Sequence, residues 1–223
     1  MMKIFSLIFL LFGLQVVASV SCDELNRLWK DKYYDEFHIA WEKQEFSCPS
    51  DLARIVESFY YLENIKFRAN NSGYAPDYYT WIKETVPGFT YEKKDSNFPD
   101  LDVIASSCRG CMITLFDIFA KDTDVMSRVR TIIHEGRHTQ LNDPGHSNCT
   151  KGAMKGKYAC DNEFVSSGWG GSGYNYGFRF LWWLHDSSYG HDLARETARY
   201  KMQWSITNRF NHVSNEEVRM FSK

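Results

Sequence analysis

Six cysteines do most to limit what this chain can fold into: Cys22, Cys48, Cys108, Cys111, Cys149 and Cys160. Their weight comes from what precedes the first of them. Lys3 is followed by an apolar run from Ile4 to Val17 and then by the small residues Ala18, Ser19 and Ser21. That order of charge, apolar run and small residues is the pattern of a cleavable secretory leader, and the run is short for a membrane span. The reading is therefore a leader over residues 1–21 and a single domain over 22–223. In an oxidising compartment an even set of cysteines is expected to pair. Nearness along the chain favours Cys22–Cys48, Cys108–Cys111 and Cys149–Cys160. Cleavage directly before Cys22 would also permit a lipid anchor there, but Ser19-Val20-Ser21 is a poor signal for it and Cys48 would lose its partner. Cys108-Arg109-Gly110-Cys111 has redox-motif spacing, yet it runs into strand-like residues from Met112, so a structural bridge is expected.

About 200 residues after the leader suffice for one hydrophobic core. The formal net charge is −2 and no basic stripe appears, which argues against nucleic acid as a partner, since phosphate binding needs clustered cations. No second apolar run would span a membrane. Apolar residues at three- and four-residue steps predict helices over 23–45, 50–65 and 77–86, and later over 125–140, 174–185 and 192–210. Strands are predicted around 102–106 and 112–120. Residues 139–173 read as loop. The expected fold class is α+β: mainly helical, with a small β-sheet.

One predicted helix carries chemistry. His134 and His138 stand four residues apart, which puts both imidazoles on one helical face. Glu135 lies between them in sequence. This is the H-E-x-x-H spacing in which two histidines hold Zn²⁺ and the glutamate serves as general base. A catalytic zinc site needs a third protein ligand and an open fourth position. His146, behind the turn at Asn142-Asp143-Pro144-Gly145, is the first candidate, with Asp161 and Glu163 as alternates. A Cys149–Cys160 bridge would hold His146 in place and present Asp161, which could instead hydrogen-bond a ligand imidazole. Cys149 as a fourth ligand would close the site and make it structural. Arg137 is unusual inside such a helix. It either pairs with a buried carboxylate, Asp161 being the nearest guess, or faces the cleft and binds an anion. Tyr174 is a candidate donor to an oxyanion, or else a core residue. Nothing in the spacing of His185, His191 or His212 points to a ligand.

The run His134-Glu135-Gly136-Arg137-His138, then His146, Cys149, Cys160-Asp161 and Gly173-Tyr174, resembles a family of uncharacterised, exported bacterial zincin-like metallopeptidases. The likeness covers Ile132 to Phe180, under a quarter of the chain. It implies a metal-dependent hydrolase fold and supplies no substrate. The expected activity is hydrolysis of a peptide or protein outside the cytoplasm, with zinc on His134, His138 and His146 and Glu135 as the base. The strand around Ile113–Phe116 is expected to be the edge along which a peptide pairs. A non-catalytic protein with a structural zinc, and a zinc amidase acting on cell wall, are the competing expectations.

Overall fold

The computed structural model of the chain describes residues 20–67, 74–93, 104–121, 124–165, 170–186 and 192–221. It is mixed, about 52% helical with small sheets. The leader up to residue 19, the turn at 70–73, residues 102–103 of the first predicted strand, much of the glycine-rich turn before Gly173, and His191 lie outside the described residues.

The first helix is shorter than its periodicity predicts. α1 (Cys22–Leu28) passes through a π-helical turn (Trp29–Tyr33) into α2 (Tyr34–Glu36) and stops. His38 adopts φ +47°, and the Ala40 N–H then donates to the Phe89 carbonyl at 2.9 Å. The chain leaves the helix to lie along the sheet. Trp41, which reads as the next helical apolar residue, folds back so that its ring stacks on Trp29 at 5.9 Å. The Cys22–Cys48 bridge and the Asn26 amide, donating to the Phe46 carbonyl at 2.8 Å, tie this returning segment to α1.

α3 (Asp51–Asn64) begins where Ser50 caps it, the Ser50 hydroxyl accepting from the Ala53 N–H. Its buried residues Ile55, Val56, Phe59 and Leu62 face the core. α4 (Tyr78–Thr85) is capped by Asp77. The chain then forms β1 (Phe89–Glu92), β2 (Ala105–Ser106) and β3 (Ile113–Phe116). They form one sheet in the order β1-β3-β2, with β1 parallel and β2 antiparallel to β3. β3 is thus the central strand. The expectation that it offers a free edge is corrected, because both its sides are paired. The strand predicted to reach residue 120 also ends early. Its ladder with β1 finishes at Glu92 opposite Phe116, and α5 (Asp117–Lys121) follows, burying Phe119 and Ala120.

α6 (Val125–His138) is the helix on which the candidate site is built. The Asp124 carboxylate accepts from the Met126 N–H at 3.0 Å and caps it. Lys201 pairs with the same carboxylate at 2.6 Å and so ties a later helix to this start. Val129, Ile132 and Ile133 are fully buried, each contributing about 1.5–3 kcal/mol of apolar transfer. α6 packs between α3 and α7 (Gly173–Asp186), and α7 packs on α8 (Asp192–Asn208).

The region read as loop holds a second sheet. β4 (Ser147–Asn148) pairs antiparallel with β5 (Tyr158–Glu163), and β6 (Phe210–His212) pairs parallel with β5. Phe210 therefore belongs to a strand and not to the end of α8. A short helix, α9 (Asn215–Phe221), follows. All three expected disulfides are present, a feature typical of exported proteins. The Cys22 sulfur is bonded to Cys48. Among the described residues no helix is long and apolar enough to cross a membrane.

Candidate metal centre

α6 supplies His134 and His138 from successive turns, and the chain returns His146 to them. The return is built by several contacts. Gly145 takes φ +75°, and its N–H donates to the Asp143 carboxylate at 3.1 Å. The Arg109 guanidinium donates to the Asp143 carbonyl at 2.6 Å, and the Gly110 N–H donates to the Thr139 carbonyl at 2.8 Å. The small Cys108–Cys111 ring thus buttresses the return loop. Ser147 stands opposite Cys160 in the β4–β5 ladder, and Cys149–Cys160 bridges the two strands. That register brings His146 beside Asp161.

The three Nε2 atoms converge. Their separations are 3.2 Å (His134–His138), 3.0 Å (His138–His146) and 3.3 Å (His134–His146). Tetrahedral ligands on zinc at about 2.0–2.1 Å stand about 3.3–3.4 Å apart, so the spacing fits one ion with little movement. Among the described residues these three form the group that could hold a metal ion. Two of the rings are oriented from behind by carboxylates, the usual support of ligand imidazoles. His138 Nδ1 meets Asp143 at 2.7 Å, and His146 Nδ1 meets Asp161 at 3.1 Å.

Asp161 is saturated in that role. Its second oxygen accepts from both the backbone N–H and the side-chain amide of Asn175, each at 2.8 Å. This sequence alternate sits beside a candidate ligand instead of in the cluster. Glu163, the other alternate, lies on the exposed end of β5, and its carboxylate is likewise outside the cluster. Cys149 is occupied by its disulfide and offers no thiolate. His212 is exposed on β6, and His185 sits in the last turn of α7, away from the cluster.

Arg137 does have a carboxylate partner, but it is Asp143 at 3.6 Å and not Asp161. Its guanidinium also donates to the Gly171 and Asn142 carbonyls, at 2.8 and 3.0 Å, and packs over the Tyr176 ring. It is buried structure that clamps the return loop. The sequence guess failed because Asp143 is brought back by the turn, a contact that linear spacing does not reveal.

Glu135 is buried beside the triad. Its carboxylate lies 3.9 Å from His134 Nε2, and the Ser107 hydroxyl donates to its Oε2 at 2.9 Å. Burial raises its pKa, against the opposing pull of His138, the Ser107 hydrogen bond and His146. A raised carboxyl suits a group that must take up and release a proton near neutral pH. Burial, together with the charges of His138 and His146, holds His134 well below the usual imidazole value, so it stays a neutral donor. For His138 burial works downward, but the Asp143 hydrogen bond and the nearby acids outweigh it and the net shift is upward. A metal must therefore displace a proton from His138 whenever that ring is charged.

The start of α7 closes over the rings. The Tyr174 ring lies 4.4 Å from that of His134 and 4.8 Å from that of His146. Burial pushes its phenol up, against Arg209 and Arg130, so it keeps its proton and can donate. Gly173 approaches still closer. A Cβ on it would sit 2.7 Å from His134 Cε1 and 2.8 Å from His138 Nε2. Asn175 and Ser107 are contributors that sequence reasoning missed, and Gly173 and Asp143 entered it only as part of a motif and of a turn, with no role at the site. Asp143 had a further local signal, as an acid five residues past His138. A cleft of about 280 Å³ opens beside His146, lined by Gly145, Asp161, Glu163, Val165 and Ser172 among others.

Comparison with family models, with curated proteins and with solved structures finds no match to this chain.

Proposed function

We propose that this protein is an exported zinc-dependent hydrolase, and within that class a peptidase of zincin-like type. The observation that carries the reading is the convergence of three histidine Nε2 atoms at tetrahedral spacing, with a buried glutamate alongside. Among the described residues no fourth protein group joins them, which leaves a coordination position for a reactant. Three neutral nitrogen donors suit Zn²⁺. A bound zinc ion would supply Lewis-acid polarisation and an acidified water at neutral pH.

The protein's own groups account for the rest. The Glu135 carboxylate takes the proton of the attacking water and later delivers it to the leaving nitrogen. Ser107 fixes that carboxylate, its single hydroxyl proton facing both Oε2 at 2.9 Å and the Glu135 carbonyl at 2.8 Å. The Tyr174 hydroxyl donates to the oxygen that gains charge as the carbonyl is attacked. Asp143 and Asp161 hold the imidazole tautomers with Nδ1–H turned away from the cluster. β2 replaces β3 as the edge for an extended substrate. It pairs with β3 on one side and runs directly into Ser107, which touches Glu135. Export under the leader of residues 1–21 belongs to the same proposal, in keeping with the three disulfides.

The test is metal removal. Mature protein stripped with a chelator should lose hydrolysis of a mixed peptide library, read by mass spectrometry, and one equivalent of zinc should restore it while the fold persists throughout. Unchanged cleavage in the stripped protein would sink the reading. Loss of the fold on chelation, with no cleavage after zinc is restored, would favour a structural metal.

A further inference from the structure

Four of the arginines near the core divide into two kinds. Arg128 and Arg137 have carboxylates supplied by the fold, Glu57 and Asp143. Among the described residues Arg130 and Arg209 have none. The buried Nε of each has no hydrogen-bond partner among the described residues, where Arg209 Nη1 donates to the Ala159 carbonyl at 3.0 Å. A desolvated guanidinium with unmet donors is costly, so an unpaired couple needs a reason.

Both side chains converge on the metal centre. Arg130 stands one helical turn before His134 and lies across Gly177, where an added Cβ would meet its Cγ and Nε at 3.2 Å. Arg209 places its Cζ 4.6 Å from the centroid of the Tyr174 ring, which itself touches His134 and His146. Arg209 is near enough to disfavour the charge on Arg130, and both guanidiniums act on His134. The acid that acts on Arg130 is Asp161, whose oxygens are already taken by His146 and Asn175. The result is a pair of guanidiniums beside the triad for which no carboxylate among the described residues forms an ion pair.

We propose that Arg130 and Arg209 form an anion seat that binds a substrate carboxylate next to the bond positioned at the histidine cluster. Planar guanidinium donors match a carboxylate in paired hydrogen bonds, and a partly desolvated setting strengthens them. This deepens the hydrolase reading by naming the substrate class: peptides carrying a carboxylate within a residue or two of the scissile bond. The carboxylate is that of a chain end or of an acidic side chain, and the two sources share the same recognition chemistry.

The experiment uses binding, so that its failure is separate from failure of the hydrolase reading. The mature protein as purified, carrying Glu135→Gln so that no peptide is consumed, is labelled with nitrogen-15, and its arginine Nε–Hε signals are followed. Three probes are added: acetylated tetra-alanine with a free carboxylate, the same peptide as an amide, and acetyl-Ala-Ala-Glu-Ala amide. The expected result is saturable movement of the Arg130 and Arg209 signals with at least one carboxylate peptide and none with the tetra-alanine amide. Whichever carboxylate peptide binds tells chain end from side chain. Arg130→Gln and Arg209→Gln should each weaken that binding at least tenfold while retaining the parent melting profile. The proposal is overturned if neither carboxylate peptide moves those signals, if the amide moves them equally, or if folded glutamine variants bind as the parent does. The parent titration decides the matter even where a variant fails to fold.

Discussion

Glu135→Gln should bind zinc with the stoichiometry of the parent and hydrolyse peptides about 10²–10⁴-fold more slowly, the range lost with a positioned general base. The substitution keeps the shape of the side chain, and a glutamine oxygen can still accept from Ser107. The fold around it has no reason to move, because the carboxylate is not a member of the histidine cluster. What disappears is the ability to accept a proton next to His134 Nε2. The decisive combination is unchanged metal content by elemental analysis with a lowered kcat. Parental kcat would remove Glu135 from the mechanism, and lost metal would make it a ligand.

Gly173→Ala should weaken zinc binding by about 10–100-fold or more, the range typical of disturbed ligand support, and lower peptide hydrolysis in proportion to the metal lost. The added methyl would meet His134 and His138 at distances real Cβ atoms do not tolerate. One of those contacts is to His138 Nε2, a ligand atom in the proposed site. Relief requires turning a ring away from the cluster or shifting the start of α7. Either breaks the tetrahedral spacing without emptying the core, since the contacts of Val129, Ile132 and Ile133 are untouched. Competition against a zinc indicator measures the affinity, and thermal melting checks the fold. A variant with parental zinc affinity would mean that α7 does not close over the rings as described.

These two residues also mark what was legible in the sequence. α6 was readable because its cap at Asp124, its apolar stripe and its histidine spacing all lie within one short run. Cys149–Cys160 was readable because the cysteines lie close together in a short loop. β5 was not readable. Tyr158–Glu163 reads Tyr-Ala-Cys-Asp-Asn-Glu, which has no apolar alternation, and the strand is set by ladders on both sides instead of by one buried face. Its role in carrying Asp161 to His146 therefore followed only from the fold. The helix over residues 23–45 failed for the opposite reason. Trp41 keeps the apolar period, but the chain turns at His38 and satisfies that ring against Trp29 from the far side. Arg137 and Gly173 depend on backbone that returns from elsewhere, Asp143 in one case and the start of α7 in the other. Spacing along a helix carries no record of such approaches.

The measurement that bears most directly on the central claim is a crystal structure of the zinc-loaded protein. The account predicts zinc on Nε2 of His134, His138 and His146 at about 2.0–2.1 Å, with Asp143 and Asp161 behind two of the rings and a solvent or added small molecule in the fourth position. A fourth protein ligand on the metal, or zinc bound elsewhere with the histidine cluster left empty, would contradict it.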